Sequence, residues 1–417
     1  MTRLFLFITA LFILSANAQS RTLAKIEVKH DAEEKTEAPI SIPLDGINYN
    51  QDEGQLCIFE IVDGEKVGIP CQLETQSARL WWILSAKPDT SSRWFEMAFC
   101  DSTPVATPFF ITRDEKKCLI QKNELKVLQY NQAVVYPPEG VDQIFKRSAF
   151  IHPLWAPDGT RLTNIQPKDH YHHYGIWAPW TKTLFEGRHV DFWNLGEGQG
   201  TVEFVGFVSM SNGPVYCGFR ALHNHIDFTA KGAGKVALNE VWDVRVWNVG
   251  KETDAFLLDI SITLSCASES PILMEAYRYG GGIGFRATEK WTKENVQVLT
   301  SEGKQRDRAD GSKARWCNVS GSGKNGRAGI VFHSHIANRR HPEPMRVWPS
   351  NANGGRGDLF FEFCPIRHHS WTLVPGQPVN LKYRLYVYND TISSDIAEQL
   401  WQDFSNSPEI IVTKLDE

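Results

Sequence analysis

Apolar and polar residues alternate with a period of two in short runs along most of the chain. Leu56-Cys57-Ile58-Phe59-Glu60-Ile61-Val62 runs into Asp63-Gly64, and Arg79-Leu80-Trp81-Trp82-Ile83-Leu84 follows. Successive side chains of an extended chain point to opposite faces, so these runs predict strands buried on one side, with the Asp-Gly pair as a turn. The grammar continues in Ala133-Val134-Val135-Tyr136, in Thr201-Val202-Glu203-Phe204-Val205 and in the stretch from Glu240 to Trp247. It returns from Phe256 to Leu264, from Gly329 to His333 and from Leu381 to Tyr388. Helical spacing is convincing only from Ser393 to Phe404, with Ser394 or Asp395 as the expected N-cap. A parallel βαβ fold lacks the helices it needs, so the expectation is all-β. Residues 19–120 are expected to form a small N-terminal β-sandwich and residues 121–417 a larger β domain. The charge run Thr112-Arg113-Asp114-Glu115-Lys116-Lys117 marks the boundary in this reading.

The first residues read differently. Arg3 precedes an apolar stretch from Leu4 to Leu14, and Ala16-Asn17-Ala18 has the small-x-small form of a cleavage site. Residues 1–18 are thus expected to be a signal peptide cut near Ala18, leaving an exported protein, periplasmic or secreted. The apolar run is too short for a stable anchor, and no later segment predicts a membrane span.

Composition narrows the choice further. Lys and Arg total 44 against 49 Asp and Glu, a formal charge of -5, which excludes a basic nucleic-acid binder. The 14 Trp suit both sandwich cores and the flat faces that bind sugars. The 8 Cys contain no C-x-x-C pair, so zinc-ribbon and thioredoxin readings fail. Cys57, Cys71, Cys100 and Cys118 are near neighbours that could supply one or two disulfides, buried free thiols being the alternative.

The densest polar cluster is Lys168-Asp169-His170-Tyr171-His172-His173-Tyr174-Gly175-Ile176-Trp177. If extended, His170, His172 and Tyr174 share one face, and same-face histidines can bind a metal or act as acid and base. His-x-His recurs at His223/His225 and His333/His335, with His368-His369 besides. The expectation is that His170, His172, His173, His333, His335 and His341 converge on one site in the larger domain. Glu275-Ala276-Tyr277-Arg278-Tyr279-Gly280-Gly281-Gly282 has glycines but no phosphate-loop motif, so a bulge or close backbone approach is expected there. Glu302 in a Ser-Glu-Gly turn and Arg315 beside Trp316 are further candidates. Neither G-x-S-x-G nor H-E-x-x-H occurs.

Five segments carry a family likeness: His152-Pro153-Leu154-Trp155-Ala156-Pro157-Asp158-Gly159, Asp169-His170-Tyr171-His172-His173, Val190-Asp191-Phe192-Trp193, Ser301-Glu302-Gly303 and Asn338-Arg339-Arg340-His341-Pro342. In this order, between about Ser148 and Tyr388, they resemble the exported "PmoA-like" family. That label refers to methane oxygenase, a multi-span membrane protein, which this chain contradicts. The resemblance implies a polysaccharide-utilisation protein with a galactose-mutarotase-like β-supersandwich, hence carbohydrate chemistry rather than oxidation.

Three functions compete. The first is a lyase or dehydratase acting on uronate-containing oligosaccharides. Removing a proton α to a carboxylate needs a cation on that carboxylate and side chains that move protons. His172, His173, Tyr279, His333 and His335 are the expected catalytic groups. His170, Trp177, Arg278, Glu302, Arg315, Asn338, Arg340 and His341 are expected to hold substrate, with Arg278 or Arg340 on its carboxylate. No cofactor is required, a divalent metal on the histidines being an alternative. The second function is a glycoside hydrolase with two carboxyl groups about 5–10 Å apart, drawn from Asp169, Asp191, Glu275 and Glu302. The third is a non-catalytic sugar-binding protein. The expected partner throughout is an oligosaccharide.

Overall fold

A computed structural model describes residues 21–29, 36–47, 49, 54–86, 92–100, 106–250 and 255–415. The expected signal segment 1–18 lies outside the described residues. The fold is all-β, as the alternation implies, and the chain divides into two units.

The first unit combines residues from the N-terminal third with 407–417. Its five-stranded antiparallel sheet runs in the order Glu409–Lys414, Thr22–Lys29, Arg93–Cys100, Gln55–Val62, Glu65–Ile69. A three-stranded sheet joins Ala38–Pro43, Arg79–Leu84 and Cys71–Glu74. In Arg79–Leu84 the buried positions are Leu80, Trp82 and Leu84, every second residue, and they meet Ile26, Ile58, Phe95 and Met97 in one core. Cys57 and Cys100 form a disulfide between neighbouring strands, while Cys71 and Cys118 stay free.

The boundary falls near 106/107 rather than 120/121. The charge run is the turn between Phe109–Arg113 and Lys117–Lys122, where Asp114 accepts the amides of Lys116 and Lys117 at 2.7 and 2.8 Å. A solvated hairpin tip and a linker look alike in composition. The C-terminal strand leaves the larger unit because Glu409–Lys414 pairs with Thr22–Lys29.

The larger unit holds a nine-stranded and an eight-stranded antiparallel sheet, with a four-stranded one beside them. The eight-stranded sheet includes Tyr216–Asp227, Lys235–Trp247, Ala255–Cys266, Val379–Asn389, Gly326–Ser334 and Trp316–Gly323. The nine-stranded sheet includes Glu343–Val347, Phe360–Phe363, Ile283–Arg286, Ile176–Trp177 and Phe150–Leu154. One core lies between them: Phe332 meets Phe285 at 5.3 Å and Phe361 at 4.7 Å between ring centres. Each such ring contributes about 2 kcal/mol on burial. The longest helix among the described residues, Ser394–Ser405, is capped by Ser393, one residue earlier than expected, whose hydroxyl accepts the Ile396 amide at 3.2 Å.

Candidate functional site

Residues 166–175 leave the extended path that His-x-His spacing predicted. The His170 amide donates to Pro167 O at 2.8 Å and the His173 amide to His170 O at 3.0 Å, so two successive turns wind the segment. Alternation no longer separates the three imidazoles, and their ring centres come within 4.8–5.6 Å of one another. His173 is buried against Trp177, Trp193, Trp348 and Phe360 at 5.2–5.6 Å. His172 lies 5.7 Å from Trp193 and His170 4.9 Å from Trp348, both half-buried. Asp191 fixes Trp193 in place: its carboxylate accepts the amides of Trp193 and Asn194, both at 2.8 Å.

Burial holds the imidazoles neutral. It pushes His172 down to about 4, with His170 adding to the effect. His173 is held well below its ordinary value by burial and then by the Arg286 guanidinium. His170 is lowered by burial too, against the opposing pull of Asp169 at 3.3 Å. Arg286 stacks over Trp348 at 4.8 Å and is ion-paired with Asp358. Arg356 continues the chain of charges, bridging Asp358 and Asp169.

Tyr279 completes the cluster. Its ring lies 5.2 Å from Trp193, and its oxygen accepts Arg346 Nη2 at 3.0 Å and Trp348 Nε1 at 3.1 Å. With two donors on that oxygen, the phenol's own O–H is left to point elsewhere. Arg346 also pairs with Asp310 at 2.8 Å. The glycines after Tyr279 serve close approach: a Cβ on Gly281 would lie 2.1 Å from the Trp180 ring, and one on Gly282 2.2 Å from Phe363 O. Arg278 is exposed, with its guanidinium 5.3 Å from the Tyr279 ring centre.

The second histidine group does not join the first. Phe332 faces the core, so the next residue, His333, faces the other way, with its ring nitrogens 3.2 Å from Arg384 O and 3.1 Å from Ala397 O of the helix. Phe361 also faces the core, so Phe360 turns outward to His173. The two groups therefore lie on opposite faces of the sandwich. His335 packs on Phe404 and His341 stacks on Trp401, 5.0 and 5.7 Å between ring centres. Arg315 lies over Trp401 and pairs with Glu302 and Glu398 at 3.2 and 3.1 Å. Asn338 is buried, its amide donating to Glu343 and to Lys382 O. Among the described residues, Arg340 has no contact with Tyr279 or the first histidines. His333, His335, His341, Glu302, Arg315, Asn338 and Arg340 therefore do not join the first histidines in one site, contrary to the expected convergence. Trp177 belongs to the right cluster but is fully buried, so it supports His173 and offers no face to a sugar.

Residues 117–402 match a family described as "Family of unknown function (DUF6807)". The chain belongs to this family. No curated protein matches it. Among solved structures, it is similar to a protein in glycosyl hydrolase family 38 from Enterococcus faecalis, with a TM-score of 0.42 and 8% identity. The match covers 94% of this chain and 47% of that one, so the chain spans about half its length.

The DUF6807 span encloses the whole site and also a buried polar network at the remaining His-x-His pair. His223 Nε2 lies 2.6 Å from the Tyr130 hydroxyl, and Glu240 meets His225 and Trp242. Burial alone would raise the Glu240 carboxyl, but His225 and His223 hold it well below its usual range. This network sits inside the sandwich, closed to solvent. Arg286, Arg346, Trp348 and Phe360 escaped the sequence reading. Arg346 and Trp348 sit two apart at the end of an alternating strand, a signal that was present but common. Among the described residues, no three His, Cys, Asp or Glu side chains are placed to hold a metal ion. No described helix is long and apolar enough to cross a membrane.

Proposed function

We propose that the protein is an exported carbohydrate-active enzyme that eliminates across the C4–C5 bond of a uronate in an oligosaccharide, as a lyase or dehydratase. The observation that carries this reading is the Tyr279 oxygen, held by Arg346 and Trp348, with the neutral imidazole of His172 on the same Trp193 ring that Tyr279 packs against. In this mechanism Arg278 pairs with the uronate carboxylate and stabilises the charge that grows there. His172, unprotonated at neutral pH, takes the C5 proton. The C4–O bond breaks as the C4=C5 double bond forms, and Tyr279 gives its hydroxyl proton to the departing oxygen. Proton exchange with water resets both groups. The departing oxygen belongs to a sugar in the lyase form and leaves as water in the dehydratase form. The five sequence segments that resemble polysaccharide-utilisation proteins would, on this reading, go with the same substrate class.

The hydrolase alternative has less support, because its carboxylates are already committed. Asp169 pairs with Arg356, Asp191 caps the Trp193 turn, Glu275 faces His189 at 3.4 Å, and Glu302 lies with the opposite face. The reading requires no cofactor. Incubation with uronate and neutral oligosaccharides, followed by mass spectrometry, tests it. Loss of water, or cleavage without addition of water, is the expected result. Addition of water on cleavage replaces the reading with hydrolysis.

A further inference from the structure

Next to Tyr279 the chain carries a second cationic step. Tyr277 and Tyr279 are two apart, with ring centres 5.9 Å from each other. The Lys182 ammonium sits 4.4 Å from the Tyr277 ring centre and is exposed. The cations of the neighbouring Tyr279–histidine cluster are neutralised: Arg346 and Arg367 by Asp310, Arg286 and Arg356 by Asp358. Among the described residues, neither Lys182 nor Arg278 has a carboxylate partner. The nearest acid in sequence to Tyr277 is Glu275, whose amide donates to Lys182 O at 2.9 Å while its carboxylate faces His189. Lys182 also holds φ at 45°, a left-handed conformation that a lysine adopts at a cost. An exposed ammonium that is left unpaired, fixed over an aromatic face and held by a strained backbone is built to meet an anion.

We infer that Lys182 on Tyr277 is a subsite for a second anionic group of the substrate, one sugar away from the uronate held at Arg278 and Tyr279. The inference rests on the proposed function and narrows its substrate to an oligosaccharide bearing at least two negative groups. The chemistry fits a carboxylate or a sulfate ester. A neutral neighbouring sugar leaves the ammonium unused.

Titration of the full chain, followed by tryptophan fluorescence, separates the two steps. The probes are glucuronate, diglucuronate, glucuronyl-glucose and its sulfated form, each with its galacto counterpart. Glucuronate or galacturonate reports the first step and should lose binding in Arg278→Ala. Diuronate is expected to bind roughly tenfold tighter than the single uronate, the increment of one charge-assisted contact. Glucuronyl-glucose should bind like the single uronate, and its sulfated form shows whether sulfate serves as well as carboxylate. Lys182→Ala should erase the increment and leave single-uronate binding intact, and Lys182→Arg should restore it. Equal binding of single uronate and diuronate, or an increment that survives Lys182→Ala, overturns the second subsite alone. Failure of every uronate to bind overturns both the subsite and the function it rests on.

Discussion

The Tyr279 hydroxyl oxygen lies 3.0 Å from Arg346 Nη2, joining two segments of chain that are 67 residues apart. Arg346 stands opposite Glu362 in the strand register, and Glu362 accepts the amide of Gly280, the residue after Tyr279, at 2.7 Å. The phenol is therefore held through its oxygen by one strand and through its backbone by the next. Burial raises the Glu362 carboxyl well above its usual range, so a neutral acid supports the turn without competing for Arg346.

Tyr279→Phe removes one oxygen and leaves the ring among Trp193, Phe360 and Tyr277. Turnover on a substrate found by the mass-spectrometric panel is expected to fall about 10²- to 10⁴-fold, with little change in KM. Turnover that stays near the parent value removes Tyr279 from the chemistry.

The opposite-face arrangement separates histidines that look alike in sequence. His172→Ala should abolish most of the activity, whereas His335→Ala and His341→Ala should keep it, because those rings pack on Phe404 and Trp401 of the helix. Parallel activity and thermal-melt measurements decide the matter. A loss of turnover in His335→Ala with an unchanged melting temperature would contradict the assignment.

These contrasts show which features the sequence makes legible. Strand alternation exposed the fold because burial on one face imposes it residue by residue, as in Leu80, Trp82 and Leu84. The same rule misjudged His170, His172 and His173, since two turns replace the strand there and turn hydrogen bonds leave little trace in hydrophobic spacing. The rule also held information that went unused: Phe332 and His333 are adjacent, so one in the core forces the other out. Which segments meet across the sandwich depends on long-range pairing, and the partnership of Tyr279 with Arg346 could not be read locally.

The Gly281 position tests how tightly the Tyr279 turn is built. Its φ is 86°, and an added Cβ would sit 2.1 Å from the Trp180 ring, itself buried. Gly281→Ala is expected to cost about 2–4 kcal/mol through backbone strain and overpacking. Urea unfolding of the two proteins gives the difference directly. A variant as stable as the parent would show that Trp180 and the turn can yield.

Acid should destabilise the fold, and the groups responsible can be named. Burial pushes His172 and His333 down to about 4 from an ordinary 6.5. For His333 burial outweighs the two carbonyls at its ring nitrogens, which on their own would favour the charged ring. Below about pH 6.5 the unfolded chain takes up protons on these rings while the folded protein does not, so stability is full above that pH and is lost as the pH falls towards 4. Glu343 acts in the opposite sense: burial raises its carboxyl to about 7 from 4.5. Its contribution is present at low pH and disappears as the pH rises from about 4.5 to 7. Burial also lowers His152 and His335 to about 4 and His173 well below its ordinary value, so the lowered imidazoles outnumber the raised carboxyls of Glu343, Glu362 and Asp403 and leave a net acid-side loss. The urea midpoint should therefore fall between pH 6.5 and 4. Glu343→Gln, close in shape to the protonated acid that hydrogen-bonds Tyr383 and Asn338, removes part of the opposing slope and should make that fall steeper. A midpoint that is flat from pH 7 to 4.5 in the parent protein would mean that these rings are not buried neutral, and it would take from His172 the proton-accepting role assigned to it.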